Sequence, residues 1–203
     1  MPHTEVELIL VNGRPAVFSD LVRGGDRVSV YPVFRAVDLG PIPRLRPPRP
    51  AAVRFVLDVH LGRLAAYLRL AGFDAVYRNH CPDETLAAMA HGEARILLTR
   101  DRELLKRRIV DWGYWVRETR PHRQLAEVIR RFGLGSLLRP FSRCGRCNAP
   151  LEQVPKAAVK DRVPPYVFKT QDQYVECPSC HRIYWKGTHW RAMNKKLEKL
   201  EQN

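Results

Sequence analysis

Apolar and polar positions first alternate over Val6 to Val11 and again over Arg27 to Val33, with the turn signal Asn12-Gly13 between them. This period of two predicts strands of a small sheet within residues 1–39. The run Gly40-Pro41-Ile42-Pro43-Arg44-Leu45-Arg46-Pro47-Pro48-Arg49-Pro50 then blocks helix and sheet alike, so an extended linker is expected over 40–52.

From Val53 the pattern changes to aliphatic runs alternating with helical stripes. Val53 to Leu57 reads as a buried strand. Leu61, Leu64, Ala65, Leu68 and Ala71 recur at helical spacing, Gly72 is placed to end that helix, and a strand follows over Asp74 to Tyr77. A second helix is expected over Asp83 to His91, with Leu86, Met89 and Ala90 as its apolar stripe, closed by Gly92 before the strand Ile96 to Thr99. Further on, the pattern predicts a helix over Arg102 to Arg108, a short strand over Tyr114 to Val116, and a helix whose stripe is Leu125, Val128, Ile129 and Phe132, ending at Gly133. Strands alternating with helices predict an α/β fold with a parallel sheet and flanking helices over 53–139. Residues 140–203 form a separate tail, with little core of its own and a charged helix from Lys195 to Gln202.

Charge narrows the partners. The 203 residues carry 35 Lys and Arg against 21 Asp and Glu, a net +14 that favours a polyanion. No apolar stretch approaches the roughly 20 residues that span a bilayer, and no signal-peptide pattern opens the chain, so nucleic acid is favoured over a membrane and a cytoplasmic location is expected by default.

Against this basic background, Asp58 and Asp101 each stand just beyond an aliphatic strand, and Asp83, with Glu84 beside it, opens the helix between those strands. Ligands bind at the carboxyl ends of strands in open α/β sheets, and carboxylates gathered there clamp a divalent cation. Asp is also a common helix N-cap, and each of the three is placed for that duller role. Asp74 begins a strand rather than ending one, and is a weaker candidate. Arg63, Arg69, Arg100 and Arg102 lie near these acids and are candidates for phosphate contact.

Cys144, Cys147, Cys177 and Cys180 form two Cys-x-x-Cys pairs, a spacing that suits tetrahedral thiolate ligation of Zn²⁺. A closed four-thiolate site leaves no position for catalysis, so its expected role is to fold the tail. Cys81 reads as an incidental thiol, and with four cysteines present His181 and His189 are not needed as ligands. Tyr184, Trp185, Lys186, His189, Trp190 and Arg191 mix aromatic and cationic groups; they either stack on single-stranded RNA or cover the metal knuckle.

Three segments, Leu57-Asp58-Val59-His60-Leu61-Gly62-Arg63-Leu64-Ala65-Ala66-Tyr67-Leu68-Arg69-Leu70-Ala71-Gly72-Phe73-Asp74, Pro82-Asp83-Glu84-Thr85-Leu86 and Arg95-Ile96-Leu97-Leu98-Thr99-Arg100-Asp101-Arg102, closely resemble the Mut-seven C-terminal RNase domain, a PIN-like nuclease family. Cys144-Gly145-Arg146-Cys147-Asn148, Arg162-Val163-Pro164-Pro165, Cys177-Pro178-Ser179-Cys180 and Ile183-Tyr184-Trp185-Lys186-Gly187-Thr188-His189-Trp190 resemble the zinc-ribbon tail of the same proteins. Leu10-Val11-Asn12-Gly13 and Gly25-Asp26-Arg27-Val28-Ser29-Val30-Tyr31-Pro32-Val33 look like the second half of a ubiquitin-like, β-grasp segment. A full β-grasp carries an opening hairpin and helix that would stand before His3.

The resemblance implies a partial β-grasp segment over 1–39, a PIN-like domain over 53–139 and a zinc ribbon with a terminal helix over 140–203. It also implies that Asp58, Asp83 and Asp101 hold catalytic Mg²⁺ or Mn²⁺, with Glu84 and Asp74 as supplements, and that the chemistry is hydrolysis of RNA phosphodiesters. The competing expectation is a non-catalytic RNA-binding or ribosome-associated adaptor whose acids are structural caps and whose N-terminal segment recruits a protein. A sulfur-carrier role is disfavoured, since that segment runs on into the linker instead of ending in a free Gly-Gly.

Overall fold

The computed structural model describes residues 1–32, 42, 45, 47, 50 and 52–201, the side chains at 189, 196 and 198–201 excepted. The expected linker over 40–52 and the strand end at Val33 fall largely outside these residues. The chain opens with strands β1 (Val6–Val11), β2 (Arg14–Ala16) and β3 (Val28–Pro32). Next come β4 (Arg54–Leu57), helix α1 (Gly62–Leu70), β5 (Asp74–Tyr77), α2 (Asp83–Gly92), β6 (Ile96–Thr99), β7 (Gly113–Trp115) and α3 (Pro121–Phe132). The tail contributes β8 (Glu152–Val154), α4 (Pro165–Thr170), β9 (Tyr174–Glu176), β10 (Ile183–Trp185) and α5 (Thr188–Glu201).

The fold is mixed α/β, as the alternation of strand and helix implies. A parallel four-stranded sheet of order β5-β4-β6-β7 is flanked by helices, and two antiparallel sheets of three strands, β2-β1-β3 and β10-β9-β8, accompany it. Two compact units share these elements: Met1–Val56 with Cys81–Trp115, and Leu57–His80 with Val116–Asn203.

In the first unit, Asn12 (φ 52) and Gly13 (φ 78) both lie in the left-handed region, which a two-residue hairpin turn requires. The turn pairs Val11 with Arg14 and Ile9 with Ala16, while β3 pairs along the other side of β1. Asn12 closes this corner, because its amide donates to Asp26 Oδ1 (2.7 Å) and its carbonyl oxygen accepts from the Arg27 N–H (2.9 Å). All four residues of β6 are buried, which explains its unbroken aliphatic run. The helix expected over Arg102 to Arg108 is reduced to a single 3-10 turn, Leu104–Lys106. Its buried residues, Leu104 and Leu105, are adjacent in sequence instead of three or four apart, so they anchor a turn and cannot form the stripe of an α-helix.

The second unit packs α1 against α3. Leu64, Ala65 and Leu68 from one and Leu125, Val128 and Ile129 from the other are buried, each large side chain contributing about 1.5–3 kcal/mol. Pro121 opens α3, and Gly133 (φ 63) closes it in the left-handed conformation. The tail has only a small core of its own: Val159, Val163 and Tyr174, with Val167, Phe168, Ile183 and Trp185 packed against them. The terminal helix also begins seven residues earlier than its charge pattern suggests, at Thr188, because Met193 and Leu197 are buried.

Arg69 on α1 is the hinge of this unit. Its side chain is buried, and its guanidinium donates to the carbonyls of Ala75 (2.8 Å), Gly145 (3.3 Å) and Arg146 (2.7 Å). Burial lowers its pKa, and the surrounding Cys144, Cys147 and Asp74 oppose that. This arginine was expected to contact phosphate; it holds α1, β5 and the first cysteine knuckle together instead. Gly72 turns the chain beside it at φ +103, where a Cβ would come within 2.5 Å of the Arg139 carbonyl oxygen. Arg69→Met should remove the fork and strand three carbonyls, costing about 1–3 kcal/mol or more. Chemical denaturation of the variant measures this, and a loss below about 0.5 kcal/mol would contradict the assignment.

Candidate functional site

Two sets of side chains carry the candidate chemistry. The first is the cysteine quartet, all of it in the second unit. Cys144 and Cys147 come from the turn before β8, Cys177 and Cys180 from the turn between β9 and β10. Their ligand atoms all lie within 4.8 Å of one another. Cys144 Sγ is 3.5 Å from Cys180 Sγ, and Cys147 Sγ is 3.3 Å from Cys177 Sγ. A Zn²⁺ ion with Zn–S bonds of about 2.3 Å would set tetrahedral S–S edges of about 3.8 Å, so the quartet fits such an ion after small shifts of its sulfurs. All four are free thiols, and the described residues hold no other group of three or more potential ligands at this spacing.

The thiols do not titrate alike. Burial raises the Cys144 pKa, but hydrogen bonds from the Tyr184 hydroxyl and the Cys147 and Arg146 backbone outweigh it and bring the thiol down to about 6. Burial pushes Cys177 up to about 12. Burial, followed by the hydrogen bond to Cys144, raises Tyr184, so its hydroxyl remains protonated and donates to Cys144 Sγ at 3.1 Å. A divalent cation is what allows the remaining thiols to ionise together.

The first knuckle is tied to the parallel-sheet region by Asn148, a residue to which the cysteine spacing assigns no role. Asn148 stands at φ 72, donates from its amide to Asp74 Oδ1 (2.7 Å) and accepts from the Ala75 N–H (3.1 Å). Asp74, the weaker acidic candidate, is therefore engaged with the knuckle. The only signal in the chain for this link is the Asn directly after a Cys-x-x-Cys pair, a position suited to a left-handed residue.

The second set is acidic. Asp58 follows β4 directly, is 5% exposed, and caps the 3-10 turn Val59–Leu61 by accepting the Val59 N–H at 2.6 Å. Asp101 follows β6, is half-buried, and accepts the Glu103 N–H at 2.8 Å, while its own N–H donates to Thr99 Oγ1 at 2.8 Å. Asp83 lies exposed in the first turn of α2 behind Pro82. Glu84 is exposed beside it, with Oε1 3.9 Å from Arg107 Nη1. The structure thus brings the cysteines together, whereas the three aspartates stand on separate elements, Asp83 and Asp101 in the first unit and Asp58 in the second.

Of the remaining arginines, Arg63 is exposed on the first turn of α1, and Arg100 and Arg102 are exposed beside Asp101. Trp115 organises that corner. Its indole N–H donates to the Arg100 carbonyl (3.2 Å), and the Arg102 guanidinium lies 5.1 Å from its ring centroid. Lys106 and Arg107 extend the basic surface, each beside a carboxylate, Glu103 and Glu84 respectively.

No curated protein and no solved structure matches this chain. Two family models do: Mut7-C ubiquitin over residues 1–38, and Mut7-C RNAse domain over residues 53–197. The second spans well over half of the 203 residues and takes in the strand-end aspartates and all four cysteines, so the chain belongs to the Mut7-C RNAse domain family, with a Mut7-C ubiquitin segment at its start.

Proposed function

We propose that the chain is a metal-dependent ribonuclease of the PIN-like kind, acting on RNA phosphodiester bonds. The family match over the elements that bear Asp58, Asp83 and Asp101 carries this reading. In it, the three carboxylates hold Mg²⁺ or Mn²⁺, hard cations that prefer oxygen ligands, with Glu84 as a nearby supplement. Such an ion supplies Lewis acidity toward the phosphoryl oxygen and a lowered pKa for water. Arg63, Arg100 and Arg102 draw in and orient the ribose-phosphate strand, a role suited to guanidinium groups on a chain of net charge +14.

Zn²⁺ is the proposed occupant of the cysteine quartet, where it closes the tail around a four-thiolate centre and leaves no open coordination position. The proposed organisation is a ubiquitin-like segment over 1–39, a linker over 40–52, the nuclease domain over 53–139 and the zinc ribbon over 140–203. Among the described residues no helix is long and apolar enough to cross a membrane. The N-terminal segment exposes Phe18, Leu21 and Val22, with Leu21 at 92%, and these apolar side chains support a protein partner.

One observation favours a second reading. Asp58 and Asp101 already accept backbone N–H groups, the role expected of caps in a non-catalytic RNA-binding or ribosome-associated adaptor. Asp58→Asn and Asp101→Asn separate the two readings, since Asn caps nearly as well as Asp but ligates a hard cation poorly. With Mg²⁺ or Mn²⁺ present, each variant should cleave a labelled RNA on the order of 10²-fold more slowly than the parent, with folding and RNA binding retained. Cleavage at the parental rate, or none by the parent with either ion, decides for the adaptor.

For the quartet, metal analysis of purified protein should find one zinc per chain, absent after Cys177→Ser. Competition with a chelator should show tighter zinc binding at pH 8 than at pH 6. The sign follows from Cys177, whose thiol stays protonated up to about 12 without the ion and must release its proton to bind. Affinity that is constant or falls as pH rises would contradict thiolate ligation.

A further inference from the structure

A cavity of about 530 Å³ opens on the second unit between the β8–β9–β10 sheet and α5. That volume is typical of small-ligand sites. Phe141, Tyr184, Trp185 and Trp190 provide its flat walls, and Lys156 and Lys186 stand among its lining residues. The walls are braced. Trp185 packs on the Val159, Val163 and Tyr174 core, and Gly187 lies so close that a Cβ would come within 2.7 Å of the indole nitrogen. Phe141 meets Tyr184 nearly edge-on, with centroids 6.5 Å apart, and meets Trp190 at 5.8 Å with the rings tilted by 46°. Tyr184 is tethered in turn to Cys144 Sγ, so the metal centre fixes one wall.

Coverage of the zinc knuckle does not account for this arrangement. Aromatics that only covered the knuckle would close over it, whereas here they line an open groove. Two lysines line the groove beside these walls, each held by neighbouring groups. Lys186 Nζ sits 5.6 Å from the Trp190 ring centroid and donates to Gln173 Oε1 at 3.0 Å. Lys156 pairs with Asp172 at 2.8 Å and lies 5.1 Å from the Phe168 centroid. Gln153 and Gln173 line the same groove and offer amide edges that both donate and accept.

We infer that this groove binds unpaired bases of single-stranded RNA, stacking them on its aromatic walls while Lys186 contacts the adjoining phosphate. The inference rests on the RNA-related reading of the chain and adds to it a base-recognising site distinct from the acidic residues. A ring buried in a duplex stack cannot enter the groove, so the site selects single strands. An acidic peptide would use the lysines but leave the aromatic walls and amide edges without a purpose.

The test uses the full chain, zinc-loaded and without added Mg²⁺ or Mn²⁺, with two probes of matched length: a short labelled oligoadenylate and its abasic ribose-phosphate counterpart. Trp190→Leu should weaken oligoadenylate binding about tenfold and leave abasic binding unchanged, since stacking alone is removed. Lys186→Ala, at an exposed position, should weaken both probes. Zinc content and near-UV circular dichroism matching the parent establish that the variants are folded. If both variants bind oligoadenylate as the parent does, RNA is held elsewhere; the groove assignment falls and the RNA reading stands. If the parent itself binds neither probe, the RNA reading falls and the groove assignment with it.

Discussion

The cysteine knuckle at 144–148 is bound into the corner between α1 and β5, and the second unit depends on that junction. Arg69 donates to Gly145 and Arg146 on one side and to Ala75 on the other. Asn148 reaches back to Asp74 and Ala75. Backbone bonds run alongside, from the Arg139 N–H to the Ala71 carbonyl and from the Phe141 N–H to the Leu70 carbonyl, both at 2.8–2.9 Å. Gly145 also sits against Leu70, leaving only 3.2 Å for a Cβ. The four-cysteine centre is therefore more than a staple for an appended tail, since the groups that shape it also set the helix that follows Asp58.

This junction links structure to function. Asp58 is fixed by the start of the 3-10 turn that leads into α1, and Tyr77 on β5 donates its hydroxyl to the Val59 carbonyl at 3.0 Å. The same Tyr77 ring fills the space where a Cβ on Gly62 would stand, at 2.8 Å. A shift of α1 or β5 would thus move the loop that carries Asp58. On the other side of the knuckle, Tyr184 connects Cys144 to the aromatic groove. With the proposed zinc in the quartet, its loss would loosen both an acidic residue of the proposed catalytic set and a wall of the proposed base site.

Much of this was legible in the chain because the signals were local. Ile96 to Thr99 and Asp74 to Tyr77 are strands at the positions their patterns indicate, and Pro121 and Gly133 bracket α3 through their own backbone preferences. The cysteine quartet was readable from spacing alone. Elements without a local signal were missed: β2 is the triplet Arg14-Pro15-Ala16, which lacks the β-branched and aromatic residues that favour strands and becomes one only because the Asn12-Gly13 turn folds it onto β1. The adjacent Leu104 and Leu105 imitate a helix in a charged stretch that makes a single turn. Arg69, Asp74 and Asn148 were out of reach for another reason. Apart from the Arg69–Ala75 bond, six residues apart, their side-chain bonds at this junction span more than 70 residues, and no pattern near Arg69 distinguishes a guanidinium that faces phosphate from one that serves three carbonyls.

Hydrogen exchange of the full chain with and without zinc tests the claim that the metal centre organises this corner. The account predicts that chelation collapses amide protection in the knuckles and, with it, in α1 and β5, while β6 and α2 of the first unit keep theirs. If protection in α1 and β5 survives metal removal intact, the junction through Arg69 and Asn148 does not carry the coupling, and the tail is only an attachment.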